Sequence, residues 1–285
     1  MKRRLTNRTR NALLGYLFIA PWIVGYAVFT LWPMAYSLYL SFHNVRVTPR
    51  GIRTAAVGWD NYRYAFLTDT QFVEELVLYL GDMVLHVPII IVFSLIIALL
   101  INQKIKGKGF FRTIFFLPVV IMSGPVISEL MAMGAATIPS IEKYALFNLI
   151  QSNLPAVLAV PISFLFDQII MVLWFSGVQI LIFLAGLQKI DGSIMEAARV
   201  DGASPWEAFW KITLPAVQPM IVVNVVYTIV SLSTFSLNKI ILLIRTNMFS
   251  TFTGYGYSTA LAWVYFAVIS ILLLLSAGLM TARKN

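Results

Sequence analysis

Six stretches of mainly apolar residues, most of them 20 or more residues long, constrain this chain more than any other feature. A helix rising 1.5 Å per residue needs roughly 20 such residues to cross about 30 Å of hydrocarbon, where each backbone N–H and C=O must be satisfied within the protein. The stretches fall near residues 13–41, 75–102, 109–136, 156–188, 216–238 and 257–281. They are continuous, whereas a membrane barrel would alternate apolar and polar residues. Composition agrees: 59% of residues are hydrophobic and 12% charged, about half the charge of a soluble domain. The expected fold is an all-α polytopic membrane protein with about six transmembrane helices. A basic segment, 1–12, precedes a single transmembrane domain, 13–285.

The first stretch follows "MKRRLTNRTR" but is too long for the apolar region of a secretory signal, and no small-residue cleavage site ends it. It reads as an uncleaved span with Pro21 and Pro33 as kinks or ends. An even number of spans places both termini on one side. Fourteen of the 21 Lys and Arg residues share that side: five in the N-terminal segment, Lys104, Lys106, Lys108 and Arg112, then Lys189, Arg199 and Lys211, and finally Arg283 and Lys284. By the positive-inside rule both termini are cytoplasmic. The first loop, with Arg46, Arg50, Arg53 and Arg63, falls on the opposite side, and its Trp59, Tyr62 and Tyr64 suit an interfacial segment. Topology and anionic lipid account for the net charge of +9 without nucleic acid. The short apolar run Ile240 to Ile244 cannot cross and reads as re-entrant or interfacial.

Residues 190–215 interrupt this apolar pattern on the cytoplasmic side with "SIMEAARVDGASPWEAFWKITLP" at their centre. Ser193 followed by Glu196 reads as a capping box that starts one helix, and Gly202 as the left-handed residue that ends it. Ser204, Pro205 and Glu207 repeat the start signal for a second helix running to Pro215. On that helix Trp206, Phe209, Trp210 and Thr213 share one face at i, i+3, i+4 and i+7. The bilayer, the chain's own spans or a docking partner has to cover it.

Ionisable groups inside spans cost roughly 2.5–3.5 kcal/mol at mid-helix and face a cavity or a partner, which singles out Asp82, Glu129 and Asp167. Gln168, Trp174, Gln179, Asn224 and Tyr227 add the planar polar and aromatic groups that would suit a hydroxylated solute. Some of these residues have an equally good reading at span ends or against a second membrane subunit. The chain contains no cysteine, so it has no disulfide framework or thiolate metal site. His43 and His86 are far apart with no ligand cluster, and no metal site is expected. No G-x-x-x-x-G-K-[ST] phosphate loop or nucleophile–base constellation is present; "GKGFFRT" lacks the spacing. No cofactor is expected in this chain, and energy must come from a partner.

"EAARVDGASPWEAFWKITLP" resembles the EAA signature of the membrane subunits of binding-protein-dependent ABC importers. Glu196, Ala197, Ala198, Gly202, Ile212, Leu214 and Pro215 fill its fixed positions. "IFLAGLQKID", "KGFFRTIFFLP", "VGWDNYRYAF" and "APWIVGYAVFTLWPMAYSLYLSF" are similar to segments of the carbohydrate-uptake permeases in that group. The resemblance implies a permease of the bacterial cytoplasmic membrane that pairs with a second, homologous permease to form the path for a carbohydrate, an oligosaccharide in the favoured reading. It further implies two ATPase subunits that bind ATP and Mg, and an extracytoplasmic solute-binding protein. The loop between spans four and five would be the coupling element. Asp201 and Ala203 would flank its bend, and Trp206 and Phe209 would lie on the aromatic face. Two segments depart from the family: the glycine-rich stretch after span five is replaced by "IRTNMFSTFTGYGYS", and Gly81-Asp82 stands where Asn-Thr is usual. The alternatives are a permease for another solute class, a secondary transporter with repeated halves, or a channel with pore-lining rings.

Overall fold

The computed structural model describes residues 7–48, 51–103, 109–110, 113–114, 155, 169–250 and 252–282. In chain order these form α1 (Asn7–Tyr26), a π-turn (Ala27–Leu31) and α2 (Trp32–Ser41), then strands β1 (His43–Thr48) and β2 (Gly51–Ala56). Helices α3 (Asp60–Leu67), α4 (Thr70–Asn102), α5 (Ile169–Leu187), α6 (Gly192–Val200) and α7 (Pro205–Ala208) follow. A second π-turn (Phe209–Thr213), α8 (Leu214–Ser233), α9 (Lys239–Met248) and α10 (Gly254–Ala282) complete the order. Among the described residues four helical stretches are long and apolar enough to cross a membrane: Leu14–Ser41, Thr70–Asn102, Pro205–Ser233 and Gly254–Met280. The bent pair Met171–Leu187 and Gly192–Val200, at 66°, makes a fifth candidate. The sequence-predicted third span lies almost wholly outside the described residues, as does the start of the fourth.

Of the two readings for Pro21 and Pro33, kinks or ends, neither proline ends the helical path: Pro21 lies inside α1, and Pro33 follows a π-turn. Each π-turn stands just before a proline: the Trp32 N–H reaches the Ala27 carbonyl and the Leu214 N–H reaches the Phe209 carbonyl, and Pro33 and Pro215 are the next residues. A turn widened to i→i−5 gives the ring room at the preceding carbonyls and absorbs the register change that the missing N–H imposes. The second helix of the loop therefore does not stop at Pro215. It continues through the π-turn into α8, so that Pro205 to Ser233 is one helical rod.

The chain divides into two compact units, Met1–Val73 with Leu243–Phe266, and Glu74–Leu242 with Ala267–Asn285. In the first, the loop expected to be merely interfacial contains an antiparallel hairpin with His43 opposite Ala56 and Thr48 opposite Gly51. Val45 is buried on it, while all of β2 is exposed. All three aromatic residues assigned to an interface also pack internally here: Phe42 meets Trp59 edge-on at 5.1 Å and Tyr62 at 5.4 Å. Tyr64 stands edge-on to Tyr257 at 5.2 Å. The Asn61 side chain donates to the Ser41 and His43 carbonyls at 2.8 and 3.1 Å and fixes the corner between α2 and α3. Asp69 caps α4 by accepting from the Phe72 N–H at 3.0 Å, and its other oxygen accepts from the Tyr257 hydroxyl at 2.5 Å.

In the segment after α9, Gly254 and Gly256 are required by close backbone contacts. A Cβ on Gly256 would lie 1.8 Å from the His43 carbonyl oxygen, and one on Gly254 would lie 2.7 Å from that of Val45. The first turn of α10 thus runs against the backbone of β1, where only glycine fits.

In the second unit the described residues of α4, α5 and the end of α8 pack together. Ile90 of α4, Val172 and Phe175 of α5 form a buried cluster against which Leu232 and Phe235 pack. The Tyr79 hydroxyl donates to Ser233 Oγ at 3.1 Å.

Gly256→Ala is expected to lower the melting temperature of the detergent-solubilised protein by roughly 3–10 °C, because overpacking of this kind costs about 1–3 kcal/mol. Gly15→Ala, where a Cβ meets nothing within 4 Å, is the control and should leave it unchanged. Intrinsic tryptophan fluorescence on heating checks both.

Candidate functional site

The polar loop folds into two short capped helices, with one cap placed differently from the sequence expectation. Helix α6 begins at Gly192, and Asp191 is its N-cap, accepting from the Ser193 N–H at 3.0 Å. The expected box between Ser193 and Glu196 does not form, because Ser193 already lies inside the first turn. The backbone hydrogen bond from Ser193 holds the Asp191 carboxyl below its ordinary pKa. Since the folded value is the lower one, this cap contributes fully above the ordinary carboxylate range and is lost as pH falls through the folded value.

The glycine bend is as expected. Gly202 has φ +81°, its N–H reaches the Arg199 carbonyl at 3.1 Å and the Ala203 N–H reaches Ala198 at 2.9 Å, which together form a Schellman stop. Helix α7 then opens with a complete capping box. The Glu207 N–H donates to Ser204 Oγ at 3.2 Å, and Glu207 Oε2 accepts from the Ser204 N–H at 2.9 Å. Lys211 approaches Glu207 at 3.7 Å one turn on, an exposed pair of little energetic weight.

Trp206, Phe209 and Trp210 form one ring cluster with centroids 5.2–6.3 Å apart. Trp206 is 68% and Trp210 49% exposed, so the described part of the chain does not cover this face. Thr213, the fourth residue of that stripe, is buried. On α6 and the bend, Glu196, Ala197, Asp201 and Gly202 are exposed and Ala198 and Ala203 half-buried; in the second π-turn and the first turn of α8, Pro215 is exposed and Ile212 and Leu214 are half-buried. Two residues outside the sequence-based selection are exposed apolar side chains of α6: Ile194 and Val200, the latter 87% exposed. An apolar β-branched side chain two residues before a glycine stop is the sequence signal that would have pointed to Val200.

The loop joins the ends of α5 and α8, which pack antiparallel along their length. Nearest the loop, a Cβ on Gly186 would lie 2.7 Å from Met220 Cγ, so the two helices meet closely there. Midway, Gln179 Nε2 donates to Thr228 Oγ1 at 2.9 Å, Asn224 Nδ2 donates to the Gln179 carbonyl at 3.3 Å, and Thr228 Oγ1 donates to the Asn224 carbonyl at 2.7 Å. At the far end Phe175 stands edge-on to Phe235 at 5.3 Å. Gln179, Asn224 and Thr228 have no exposed surface and Trp174 is buried. Among the described residues Gln179 Oε1 and Asn224 Oδ1 have no hydrogen-bond partner. Each such orphaned oxygen costs about 1–3 kcal/mol.

Of the residues assigned to a solute path, Asp82 lines a cleft of about 230 Å3 with Glu75, Tyr79, His86, Phe235 and Lys239. Lys239 is paired with Glu75 at 3.9 Å, and His86 Nδ1 bonds the Asp82 carbonyl at 2.8 Å. Tyr227 is 38% exposed on α8. Glu129, Asp167 and Gln168 lie outside the described residues. Among the described residues no three His, Asp or Glu side chains cluster in a way that could hold a metal ion.

Residues 69–284 match the family of binding-protein-dependent transport system inner membrane components. Over 96% of its length the chain is 34% identical to a probable ABC transporter permease protein of Bacillus subtilis, YesP, covering 92% of that protein. It is 31% identical to the multiple sugar-binding transport system permease protein MsmF of Streptococcus mutans, covering 94% of this chain and 96% of that one. Its fold matches a chain in the crystal structure of a bacterial alginate ABC transporter in complex with an alginate pentasaccharide-bound periplasmic protein. The TM-score is 0.64 at 22% identity, over 96% of each chain.

Ser204→Ala should destabilise α7 by about 1 kcal/mol. Hydrogen exchange in the 204–210 segment is expected to accelerate about fivefold while residues 172–186 keep their protection.

Proposed function

The chain belongs to the family of binding-protein-dependent transport system inner membrane components, and from that premise we propose that it is one of two permease subunits of an ATP-driven importer for a carbohydrate. The observation that carries the reading is the exposed, doubly capped α6–Gly202–α7 element at the joined ends of α5 and α8. A loop without a partner needs no such precision: the nine-residue α6 is marginal alone yet is capped at both ends, the rod that starts at α7 opens with a complete capping box, and the apolar side chains Val200, Trp206 and Trp210 face outward. Aromatic residues on a rigid, exposed helical turn are what anchors a protein interface. We assign that interface to an ATPase subunit on the cytoplasmic side, where Lys189, Arg199 and Lys211 place the loop by the positive-inside rule. Two such subunits would supply ATP and Mg chemistry, with a second permease completing the path and a solute-binding protein delivering to its outer side. The compartment is the bacterial cytoplasmic membrane.

Support for a carbohydrate comes from relatives named for sugar transport and from the chemistry of the Asp82 cleft. Among the described residues no hydrogen bond or ion pair is seen at the exposed Asp82 side chain, which sits 12 residues into the 33-residue, predominantly apolar α4. A carboxylate at that depth requires water or a solute beside it. Sugar hydroxyls donate to carboxylates, and the Tyr79 and Phe235 rings offer faces for their C–H surfaces.

Co-expression with the neighbouring transport genes tests the reading. Gly202→Asp is expected to reduce ATP-driven uptake by more than about tenfold and to weaken retention of the ATPase on the purified membrane subunits, while the strain of a side chain at this left-handed position, about 1 kcal/mol, lowers the melting temperature by only about 2–4 °C. Asp82→Asn should change the KM of uptake with ATPase retention intact. Wild-type uptake by the Gly202→Asp variant contradicts the coupling role, and ATP-driven uptake restricted to a non-sugar solute contradicts the carbohydrate assignment.

A further inference from the structure

We infer that Gln179, Asn224 and Thr228 are positioning residues that lock α5 and α8 in a single register, so that the helix pair and the loop between them move as one lever. The functional part of this inference rests on the coupling role proposed above; the mechanical part does not. Three observations point the same way. All three side chains have no exposed surface, so none contacts lipid, solute or another subunit in this conformation. Their hydrogen bonds run both ways between the helices and end partly on backbone: Asn224 reaches the Gln179 carbonyl, Gln179 reaches the Thr228 hydroxyl, and that hydroxyl is held by the Asn224 carbonyl one turn earlier. Sliding one helix by a turn, about 5.4 Å, would break both inter-helix bonds at once.

The third observation is the cost. Two carboxamide oxygens, Gln179 Oε1 and Asn224 Oδ1, are buried without partners among the described residues. Apolar side chains of similar size would fill the same space without that penalty, so net stability does not explain the trio. Register does: buried polar groups that bond in one alignment only are a known way of excluding the others. The location fits a transmission role. The trio lies midway along the pair, between the close approach of Gly186 to Met220 near the loop and the Phe175–Phe235 contact at the far end. A push on α6 or α7 is then carried along both helices together instead of being lost as slip between them.

The absence of cysteine from the chain allows a clean test. Spin labels at K189C and A216C report the spacing of α5 and α8 in the complete transporter, reconstituted with its co-expressed subunits. With the native trio the distance distribution should be narrow and keep its width with and without ATP. Thr228→Val and Gln179→Leu should broaden it, and Thr228→Ser, which keeps the hydroxyl, should restore it. In the same proteoliposomes, uptake of lactose, raffinose and alginate trisaccharide is measured against ATP hydrolysed. Uptake per ATP should fall about fivefold in Thr228→Val and Gln179→Leu and stay at the wild-type level in Thr228→Ser. A change in melting temperature alone, with narrow distances and unchanged uptake per ATP, overturns the inference and leaves the trio a packing feature. If the wild-type complex moves none of the three probes, the carbohydrate reading fails on these solutes, while the distance measurement still decides whether the trio locks the pair.

Discussion

The packing of α5 on α8 is the interaction on which the candidate site depends. Within a bilayer, two apolar helices gain little from meeting each other because lipid tails are as apolar as Leu or Ile. Close approach and hydrogen bonding have to hold them instead. This chain uses both, with Gly186 against Met220 and the Gln179–Thr228–Asn224 network farther along. The short helices between them inherit their placement from that pair: α6 leaves α5 at 66°, and α7 is continuous with α8 through a π-turn. The aromatic face of Trp206, Phe209 and Trp210 is therefore presented from the end of a rod and not from a mobile loop.

Backbone requirements shape the rest. A proline in a span leaves a carbonyl without its usual donor, and hydrocarbon offers no replacement. At Pro33 and Pro215 the preceding turn opens to i→i−5, which changes the helix without breaking it. At Gly254 and Gly256 the requirement is steric, since the first turn of α10 lies on the backbone of β1. The segment after α9 thus requires glycine for this contact.

How legible these features were in the sequence depends on whether their causes are local. The Ser204–Glu207 box and the Gly202 stop are set by residues within one turn, and the sequence reading anticipated both. The first cap was misplaced because Asp191, Ser193 and Glu196 offer overlapping signals, and a side chain two residues ahead of the N–H it satisfies competed successfully. The hairpin at 43–56 was missed for a related reason: Val45 and Val47 alternate with polar residues for too short a distance, and the burial of Val45 comes from tertiary packing. The π-turns were not legible either, since a proline marks a problem without specifying its solution. Asp82 stood out because a charge in an apolar run is costly wherever it faces. Gln179 and Asn224 stood out for the same polarity, but nothing local distinguishes a solute-facing amide from one buried between helices; their lack of exposure and their mutual bonds make that distinction.

These features combine into one physical account of transport. A carboxylate lines a cleft in a chain whose long helices are otherwise apolar, a paired set of helices is held in register, and an exposed, capped element stands at their joined ends. The claim that joins them is that this element meets an ATP-hydrolysing subunit. The most direct test is cross-linking from a cysteine placed at Val200, the most exposed apolar residue of α6, in the otherwise cysteine-free chain, in membranes containing the co-expressed transport subunits. The account expects a cross-link to an ATPase subunit whose yield changes with bound nucleotide. A cysteine there that labels freely with water-soluble reagent under all nucleotide conditions, and never joins an ATPase, would contradict it.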